Sequence, residues 1–473
     1  MRQRYVEILT MVLMAVAVFA LVRQAQTWNQ RPGPFVIPRG LPDHLMLGLS
    51  NHPDELSWMV ESNTSWDARY YYMTGGVNTG ASWANWLPNG QFATDYMEQS
   101  RRNGYLTVFT YYQLVKSLPM VGANEAEQDF TNLNNRQTMA AYYADFVLLL
   151  DKANEFGDPM IVHVEPDLWG YMQQRINGGE DAASIPAAVS SSGYKEVRGY
   201  ADNLTGFGKA LIHLRDVHAP NVILAVHASP WSTNLDVTTD PSPSLDVDSI
   251  AGRTARFLSA TGNWDLVFVD LADRDAGYHE VIGNDRGAHW WDMSNQRYPN
   301  FARFADYLSD LSRGTGKRIV LWQVPIGNTV MRASNNTEGH YQDNRVQYFL
   351  GGAPTQLEEY ARAGVIGILF GRGVPGPSTY SDAMKDGVTN PLPIGDNDQM
   401  SDVPDDDGGY LRARAQNYYA AGALALPKPV LPPQAPQFLR VLGVSLVLAL
   451  ILLLAARRVK MAVEGDALAS KSS

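Results

Sequence analysis

The chain has 473 residues, of which 45 % are hydrophobic, so wholesale disorder is excluded. It contains no cysteine, which excludes a disulfide scaffold, a thiolate metal site and a cysteine nucleophile. The net charge of −11 argues against a nucleic-acid-binding protein, because such proteins usually present a basic face.

The first 23 residues are predicted to form an N-terminal transmembrane anchor or signal segment. Arg2 and Arg4 precede the apolar run 8–22, which is at the short end of the length that crosses a bilayer. The positive start fits either an uncleaved anchor or a signal peptide. A linker over residues 24–43 follows and leads to the main domain.

A second membrane span is predicted at the C-terminal end. Residues 438–456 are apolar and uncharged apart from Arg440, and the basic residues Arg457, Arg458 and Lys460 follow at once. The positive-inside rule places the tail 457–473 in the cytoplasm, on the same side as the N-terminus. A Pro-rich linker, 426–437, precedes this span. We therefore expect a two-pass protein of the cell membrane, in contact with lipid through both termini, with its main domain outside.

The main domain, residues 44–425, alternates short apolar runs with amphipathic stretches, a pattern typical of βαβ units. Eight runs are predicted as strands: 45–51, 70–75, 106–112, 160–165, 222–227, 266–270, 318–323 and 365–371. Eight is the number that closes a (β/α)8 barrel of the TIM type, and an open doubly wound sheet is the alternative. No G-x-G-x-x-G motif follows the first run and no P-loop motif occurs, so nucleotide binding has little support.

Helices are predicted between the strands from the spacing of apolar residues. The clearest are 138–156, 301–312 and 355–363. In the last of these, Thr355 and Glu358 have the spacing of a capping box, and Gly364 is a stop signal. Each of these helices precedes a predicted strand, as the barrel requires.

Charged side chains follow several of the apolar runs, where the active site of such a barrel lies. Glu165 and Asp167 follow the fourth run, and Asp270 ends the sixth. We predict Asp167 as a general acid, Asp270 as a second carboxylate and Glu165 as a group that tunes Asp167. The alternative for each aspartate is a helix N-cap. The two-residue period of a strand would place the side chain of His163 on the same side as those of Glu165 and Asp167. We expect His163 to be a hydrogen-bonded core histidine.

The aromatic content suggests a carbohydrate ligand, since flat rings stack on the apolar faces of sugars, although most aromatic residues are expected in the core. Several aromatic and polar residues follow the predicted strands. The predicted substrate-binding residues are Tyr112, Trp169, His227, Trp231, Trp290, Trp291, Trp322, Gln323 and Arg372.

The segment 161–170, IVHVEPDLWG, resembles the E-P-D-[SL] segment of the family-6 cellulases. That resemblance implies a distorted β/α barrel and gives the role of catalytic acid to Asp167. It covers about ten residues, and the family's upstream D-R-D-C element has no counterpart, because the third run ends Phe109-Thr110-Tyr111-Tyr112. The larger class of barrels with a catalytic Glu after strands four and seven differs as well, because Gln323 stands at the second position.

The sequence therefore predicts a membrane-anchored glycoside hydrolase that acts on a polysaccharide or oligosaccharide without a cofactor. The alternative is a non-catalytic carbohydrate-binding or envelope assembly protein on the same scaffold. A third class, a metal-dependent hydrolase, would use His163, Glu165, His227 and Asp270. The loop Asp396–Asp407 is expected to be a solvated acidic loop, with a structural calcium site as its alternative.

Overall fold

A computed structural model of the chain describes residues 36–352, 354–371, 376–389 and 403–427. These belong to one compact unit, Val36–Pro427. The two predicted membrane segments, 1–23 and 438–456, lie outside the described residues. In the part that is described, none of the helices has the length and apolar character needed to cross a bilayer.

Eight parallel strands form a closed barrel in which each strand pairs with the next along the chain. The strands are β1 (Met46–Ser50), β2 (Ala68–Met73), β3 (Leu106–Tyr111), β4 (Met160–Val164), β5 (Val222–His227), β6 (Leu266–Asp270), β7 (Arg318–Val324) and β8 (Val365–Phe370). Because β1 also pairs with β8, the sheet closes on itself. The predicted (β/α)8 barrel is confirmed, and the open doubly wound sheet is ruled out.

Helices connect the strands and cover the barrel. They are α1 (Leu56–Glu61), α2 (Gln91–Arg102), α3 (Glu125–Asn134), α4 (Arg136–Phe156), α5 (Pro166–Arg175), α6 (Leu204–His218), α7 (Val247–Thr261), α8 (Ala276–Val281), α9 (Phe301–Thr315), α10 (Arg345–Gly351), α11 (Pro354–Arg362) and α12 (Tyr410–Ala420). Short 3-10 turns occur at Pro53–Glu55, Trp83–Asn85, Pro88–Gly90, Ala182–Ser184, Ser190–Ser192 and Lys195–Val197.

The helix boundaries follow local capping chemistry. Helix α4 begins two residues before the predicted start because the side chain of Asn135 accepts hydrogen bonds from the first free N–H groups of the helix. It ends at Gly157, which has a left-handed φ of 81°. Helix α9 extends three residues beyond its predicted end and stops at Gly316, with a φ of 70°. These caps add to the stability of helices whose apolar faces pack on the barrel.

The barrel interior below the carboxyl ends of the strands is filled with rings rather than aliphatic side chains alone. His163 of β4 stacks on Phe268 of β6 with ring centroids 4.3 Å apart. The indole of Trp322 meets His163 edge-on at 4.9 Å and lies 6.2 Å from Tyr70. These close-packed rings form a rigid floor, so side chains at the strand ends are held at fixed positions.

The end of β4 differs from the predicted strand 160–165. The strand stops at Val164, and Glu165 takes a left-handed backbone conformation with φ 44°. Pro166 then begins α5, since a proline ring is tolerated in the first turn of a helix. Asp167 therefore lies in the first turn of a helix, and the strand period that placed Glu165 and Asp167 on one side does not apply to them.

Candidate active site

A cavity of about 510 Å³ opens at the carboxyl ends of the strands. It is rich in carboxylates and aromatic rings. Its lining consists of Tyr72, Tyr112, Glu125, Pro166, Asp167, Tyr171, Gln174, Pro230, Trp231, Asp236, Thr238, Asp270, Leu271, Ala272, Asp273, His289, Trp322 and Gln323. The two aspartates predicted as the working pair, Asp167 and Asp270, thus share one cavity although they follow different strands.

Asp167 is held in the first turn of α5, and its side chain is partly buried at the cavity wall. Burial raises its pKa to about 8, and the negative charges of Glu125, Asp270 and Asp273 add to this effect. A hydrogen bond from Tyr112 acts in the opposite direction. The raised pKa favours the protonated form of Asp167 near neutral pH, which is the state that a general acid needs.

Tyr112 links Asp167 to a carboxylate on another helix. Its hydroxyl lies 3.2 Å from Oδ2 of Asp167 and also contacts Oε1 of Glu125 at the start of α3. A phenol has one proton to donate, so only one of these contacts can be a hydrogen bond from tyrosine to a carboxylate. Tyr112 therefore holds the carboxylate of Glu125 close to Asp167, and the negative charge of Glu125 is one of the causes that raise the pKa of Asp167.

Asp270, the last residue of β6, contacts a histidine that lies beneath the cavity. Its Oδ1 lies 2.8 Å from Nε2 of His227, the last residue of β5. His227 is buried, whereas the Asp270 side chain is 21 % exposed. The predicted binding residue His227 thus contacts Asp270 instead of lining the cavity itself. The carboxylate is held in one orientation with its other oxygen available to a ligand.

Glu165 does not line the cavity. Its side chain is fully buried and accepts hydrogen bonds from the backbone N–H groups of Gln113, at 3.0 Å, and Leu114, at 3.3 Å. Burial raises its pKa to about 8, against the effect of these hydrogen bonds. The charged groups that raise the pKa of Asp167 most are Glu125 and Asp270, and the tuning of Asp167 by Glu165 stays a prediction. Glu165 anchors the segment after β3 that carries Tyr112.

This role makes a prediction for two substitutions of Glu165. Glu165→Ala should lower the free energy of unfolding by roughly 1–3 kcal/mol, because two buried N–H groups lose their acceptor. Glu165→Gln should leave stability and activity near those of the natural protein, since the amide oxygen can still accept both bonds. Urea denaturation and activity measurements would check both variants. An inactive but stably folded Glu165→Gln would show that Glu165 takes part in the chemistry.

Four of the predicted binding residues line the cavity: Tyr112, Trp231, Trp322 and Gln323. Gly170 of α5 makes the position of Trp231 possible, because a Cβ atom there would lie 2.6 Å from the indole ring. Gln323 has a left-handed φ of 52° at a bulge in β7, and its amide contacts the hydroxyl of Tyr72. Strain of this kind is common where a side chain is directed into a functional site.

Three predicted binding tryptophans are not brought to the cavity. Trp169 is buried, stacks on Phe207 and donates its N–H to the carbonyl of Val164. Trp291 is also buried and donates to the carbonyl of Thr238. Trp290 is partly buried and donates to Glu280. Trp169 acts as a core residue because it lies on the buried face of α5, and Trp291, in the segment before α9, packs against Phe301 and Phe304 of that helix.

The remaining predictions concern loops after β8. Arg372 and residues 396–402 of the acidic loop lie outside the described residues. The aspartates Asp405, Asp406 and Asp407 are buried, so the expectation of a solvated loop is wrong for this described end of it. Asp407 caps α12 through the N–H of Leu411, and Asp406 accepts from Thr379. Within the described ranges, no group of three or more acidic or histidine side chains is arranged to hold a metal, and the calcium site stays a prediction.

Several cavity residues were not predicted from the sequence: Tyr72, Glu125, Tyr171, Asp236 and His289. Asp273, three residues after the end of β6, also lines the cavity. Its pKa is lowered by His279 and Arg274, although burial alone would raise it. The only signal for Glu125 was its place one residue after Asn124, which caps α3. Glu125, Asp236 and His289 lie well past the strand ends, so strand position could not identify them.

No family model matches the chain, and a search of curated proteins finds no match either. Similar solved structures include a family-26 endo-β-1,4-mannanase from Cellulomonas fimi, with 10% identity and a TM-score of 0.40 over 80% of this chain and 71% of that chain. A family-5 xyloglucan-specific β-1,4-glucanase from a ruminal metagenomic library has 13% identity and a TM-score of 0.43 over 79% and 88%. An endo-1,4-β-D-mannanase from Thermotoga petrophila has 11% identity and a TM-score of 0.41 over 79% and 99%. The strand pairing of this chain establishes the barrel by itself, and such distant similarity adds no argument about its activity.

Proposed function

We propose that the protein is a glycoside hydrolase that cleaves a polysaccharide or oligosaccharide with Asp167 as general acid and Asp270 as the second carboxylate. One observation carries this proposal: two carboxyl groups in different protonation environments face the same cavity. Asp167 has its pKa raised to about 8 by burial and neighbouring charge, while Asp270 has an imidazole nitrogen against one oxygen. Two carboxyl groups whose environments separate their protonation states are the arrangement that acid and base roles require.

The proposed reaction follows from these states. Asp167 gives its proton to the glycosidic oxygen as the bond to the anomeric carbon breaks. Asp270 either attacks that carbon directly or removes a proton from the attacking water. Water supplies a proton and a hydroxyl group overall, so no oxidant or further reactant is needed. The stereochemical outcome depends on which of the two roles Asp270 takes.

The rest of the cavity suits a sugar. Trp231, Trp322 and Tyr171 offer ring faces and edges for the apolar sides of a pyranose. Gln323 and Gln174 offer amide groups for its hydroxyls. A surplus of carboxylates disfavours an anionic glycan, because Asp236 and Asp273 would repel it. We therefore propose a neutral or basic sugar as the substrate.

The raised pKa of Asp167 predicts the direction of the pH dependence. The acid must be protonated to act, so kcat/KM should fall as the pH rises through about 8. Glu125→Gln should move this alkaline limb to lower pH, since removing a nearby negative charge makes ionisation of Asp167 easier. A pH series on both proteins would measure the shift. A limb that stays in place or moves upward would contradict the role given to Glu125.

The activity itself is tested by incubating the full chain with a panel of neutral and basic glycans and measuring released reducing ends. Hydrolysis that survives a chelator supports the proposal, and activity abolished by a chelator would favour the metal-dependent class. Binding without any hydrolysis, unaffected by Asp167→Asn, would favour the non-catalytic carbohydrate-binding alternative. Gln323 at the end of β7 is the observation that motivates this alternative, because it cannot serve as a carboxylate.

We further propose that residues 1–23 and 438–456 anchor the barrel outside the membrane. The apolar sequence of both segments and the basic residues beside them support this proposal. The full chain should remain in the membrane pellet after alkaline carbonate extraction, with its barrel open to protease from the outside. Release into the supernatant would contradict the anchoring, and protection of the barrel in sealed cells would contradict the orientation.

A further inference from the structure

Below the cavity, two buried histidines connect Asp270 to a threonine on the other side of the barrel. Nε2 of His227 lies 2.8 Å from Oδ1 of Asp270, and Nδ1 of His227 lies 3.0 Å from Nε2 of His163. Nδ1 of His163 lies 3.4 Å from the hydroxyl of Thr110. The four residues come from β3, β4, β5 and β6, so the contacts run across neighbouring strands of the barrel.

We propose that Thr110, His163 and His227 form a directional hydrogen-bonded chain of positioning residues that fixes Asp270 as an ionised carboxylate with Oδ2 presented to the cavity. This inference rests on the proposed function for its catalytic meaning, although the hydrogen-bonding order itself does not. It assigns a role to two buried imidazoles that the acid and base steps do not use.

Proton counting gives the chain its direction. A hydrogen bond between the facing nitrogens of His163 and His227 contains one proton. If both imidazoles are neutral and Asp270 is ionised, each one donates from Nε2 and accepts at Nδ1. Thr110 then donates to His163, His163 to His227, and His227 to Asp270. Every polar atom in the chain is satisfied without a buried positive charge, whose desolvation would be costly.

Both imidazoles are buried among aromatic rings. His163 and His227 are 0 % and 1 % exposed. Phe268 stacks on one side of His163, and Trp322 meets both imidazoles edge-on, with centroids 4.9 and 5.6 Å away. Burial and the neighbouring His227 hold the pKa of His163 well below its usual range. Trp322 also lines the cavity, so it separates the chain from the solvent above.

The contact with His227 determines which oxygen of Asp270 can react. Oδ1 is engaged from below, and among the described residues no hydrogen bond reaches Oδ2. Because the side chain is 21 % exposed, the unbound oxygen is the one available in the cavity. Asp270 is thereby prepared as the base or nucleophile opposite the protonated Asp167.

The order of the hydrogen bonds is tested by ¹⁵N solid-state NMR on the full chain labelled at its nine histidines. His163→Gln and His227→Gln assign the two signals by difference, and His213→Gln on α6 serves as the control. We expect one protonated nitrogen, Nε2, and one bare nitrogen, Nδ1, in each imidazole at pH 7. An imidazolium at either position, or a proton on Nδ1 of His227, would overturn the proposed direction. This readout needs no substrate, so it is independent of whether hydrolysis is found.

The positioning role is tested by kinetics once a hydrolysed glycan is known. His227→Phe should lower kcat about 10- to 100-fold with little change in KM, because Asp270 loses one hydrogen bond to a charged group. His227→Gln should recover much of that loss, since its amide can donate to Oδ1. Circular dichroism would show that both variants fold. An active His227→Phe, or a Gln variant no better than Phe in folded protein, would overturn the positioning role.

Discussion

Replacing Asp167 with asparagine should lower kcat on an unactivated glycan about 100- to 10,000-fold, the range that positioned general acids contribute. The amide keeps the size of the side chain and can still contact Tyr112, but it has no acidic proton to give. Folding should not suffer. Burial and the charges of Glu125 and Asp270 disfavour an ionised group at this place, so a neutral side chain removes an unfavourable interaction. Thermal unfolding at pH 8 should therefore occur at the same or a higher temperature.

Substrates with different leaving groups can show whether Asp167 protonates the glycosidic oxygen or only helps to bind the substrate. An aryl glycoside whose phenol leaves without protonation should be cleaved by Asp167→Asn nearly as well as by the natural protein. Asp273→Asn, in the same cavity, is the matched control and should lose less than about tenfold on either substrate. Equal losses on activated and unactivated substrates would show that Asp167 is not the acid.

Replacing Asp270 with alanine should abolish at least about 99.9 % of hydrolysis, since both roles open to the second carboxylate, nucleophile and base, need its oxygen. The truncated side chain leaves space in the cavity above His227, where a small anion can enter. Sodium azide should therefore restore activity and give a glycosyl azide instead of the free sugar. Attack from the side of Asp270 gives an azide with the anomeric configuration opposite to that of the substrate.

The configuration of the rescued product decides the assignment. An azide with the substrate's configuration would place Asp270 on the acid side and exchange the roles of the two aspartates. Asp236→Ala is the control, because it removes a carboxylate of the same cavity that is not bonded to His227, and azide should not change its products. The configuration of the sugar released by the natural protein then distinguishes direct attack from activation of water.

The strands were predictable because each one is short, apolar and bounded by polar residues. Strands β5 and β6 begin and end as the sequence predicts, and the other six differ by one or two residues at one or both ends. Few folds other than a barrel accommodate eight such runs separated by amphipathic stretches, since every apolar strand must be buried on both faces. Asp167 and Asp270 could be identified for the same reason, because the carboxyl ends of parallel strands meet at one face.

The site beyond these two residues depends on contacts that no local pattern contains. Glu125 at the start of α3 reaches Asp167 of α5 through Tyr112, which lies in the segment after β3. Glu165 directly follows β4, and Asp167 comes two residues later. The left-handed backbone conformation of Glu165 turns its side chain into the interior, whereas Asp167 lines the cavity. The sequence could not separate these two carboxylates, because their difference is a matter of backbone conformation and burial.

The sequence by itself determined the number of strands, the parallel arrangement and the place where charged groups gather, because hydrophobic periodicity and strand ends are local properties. The tertiary structure alone decided which carboxylates share the cavity, which tryptophans belong to the core, and which histidines lie beneath Asp270. These are decided by distances between segments far apart in the chain. Protonation follows from them, since pKa values depend on burial and on charges within a few ångströms.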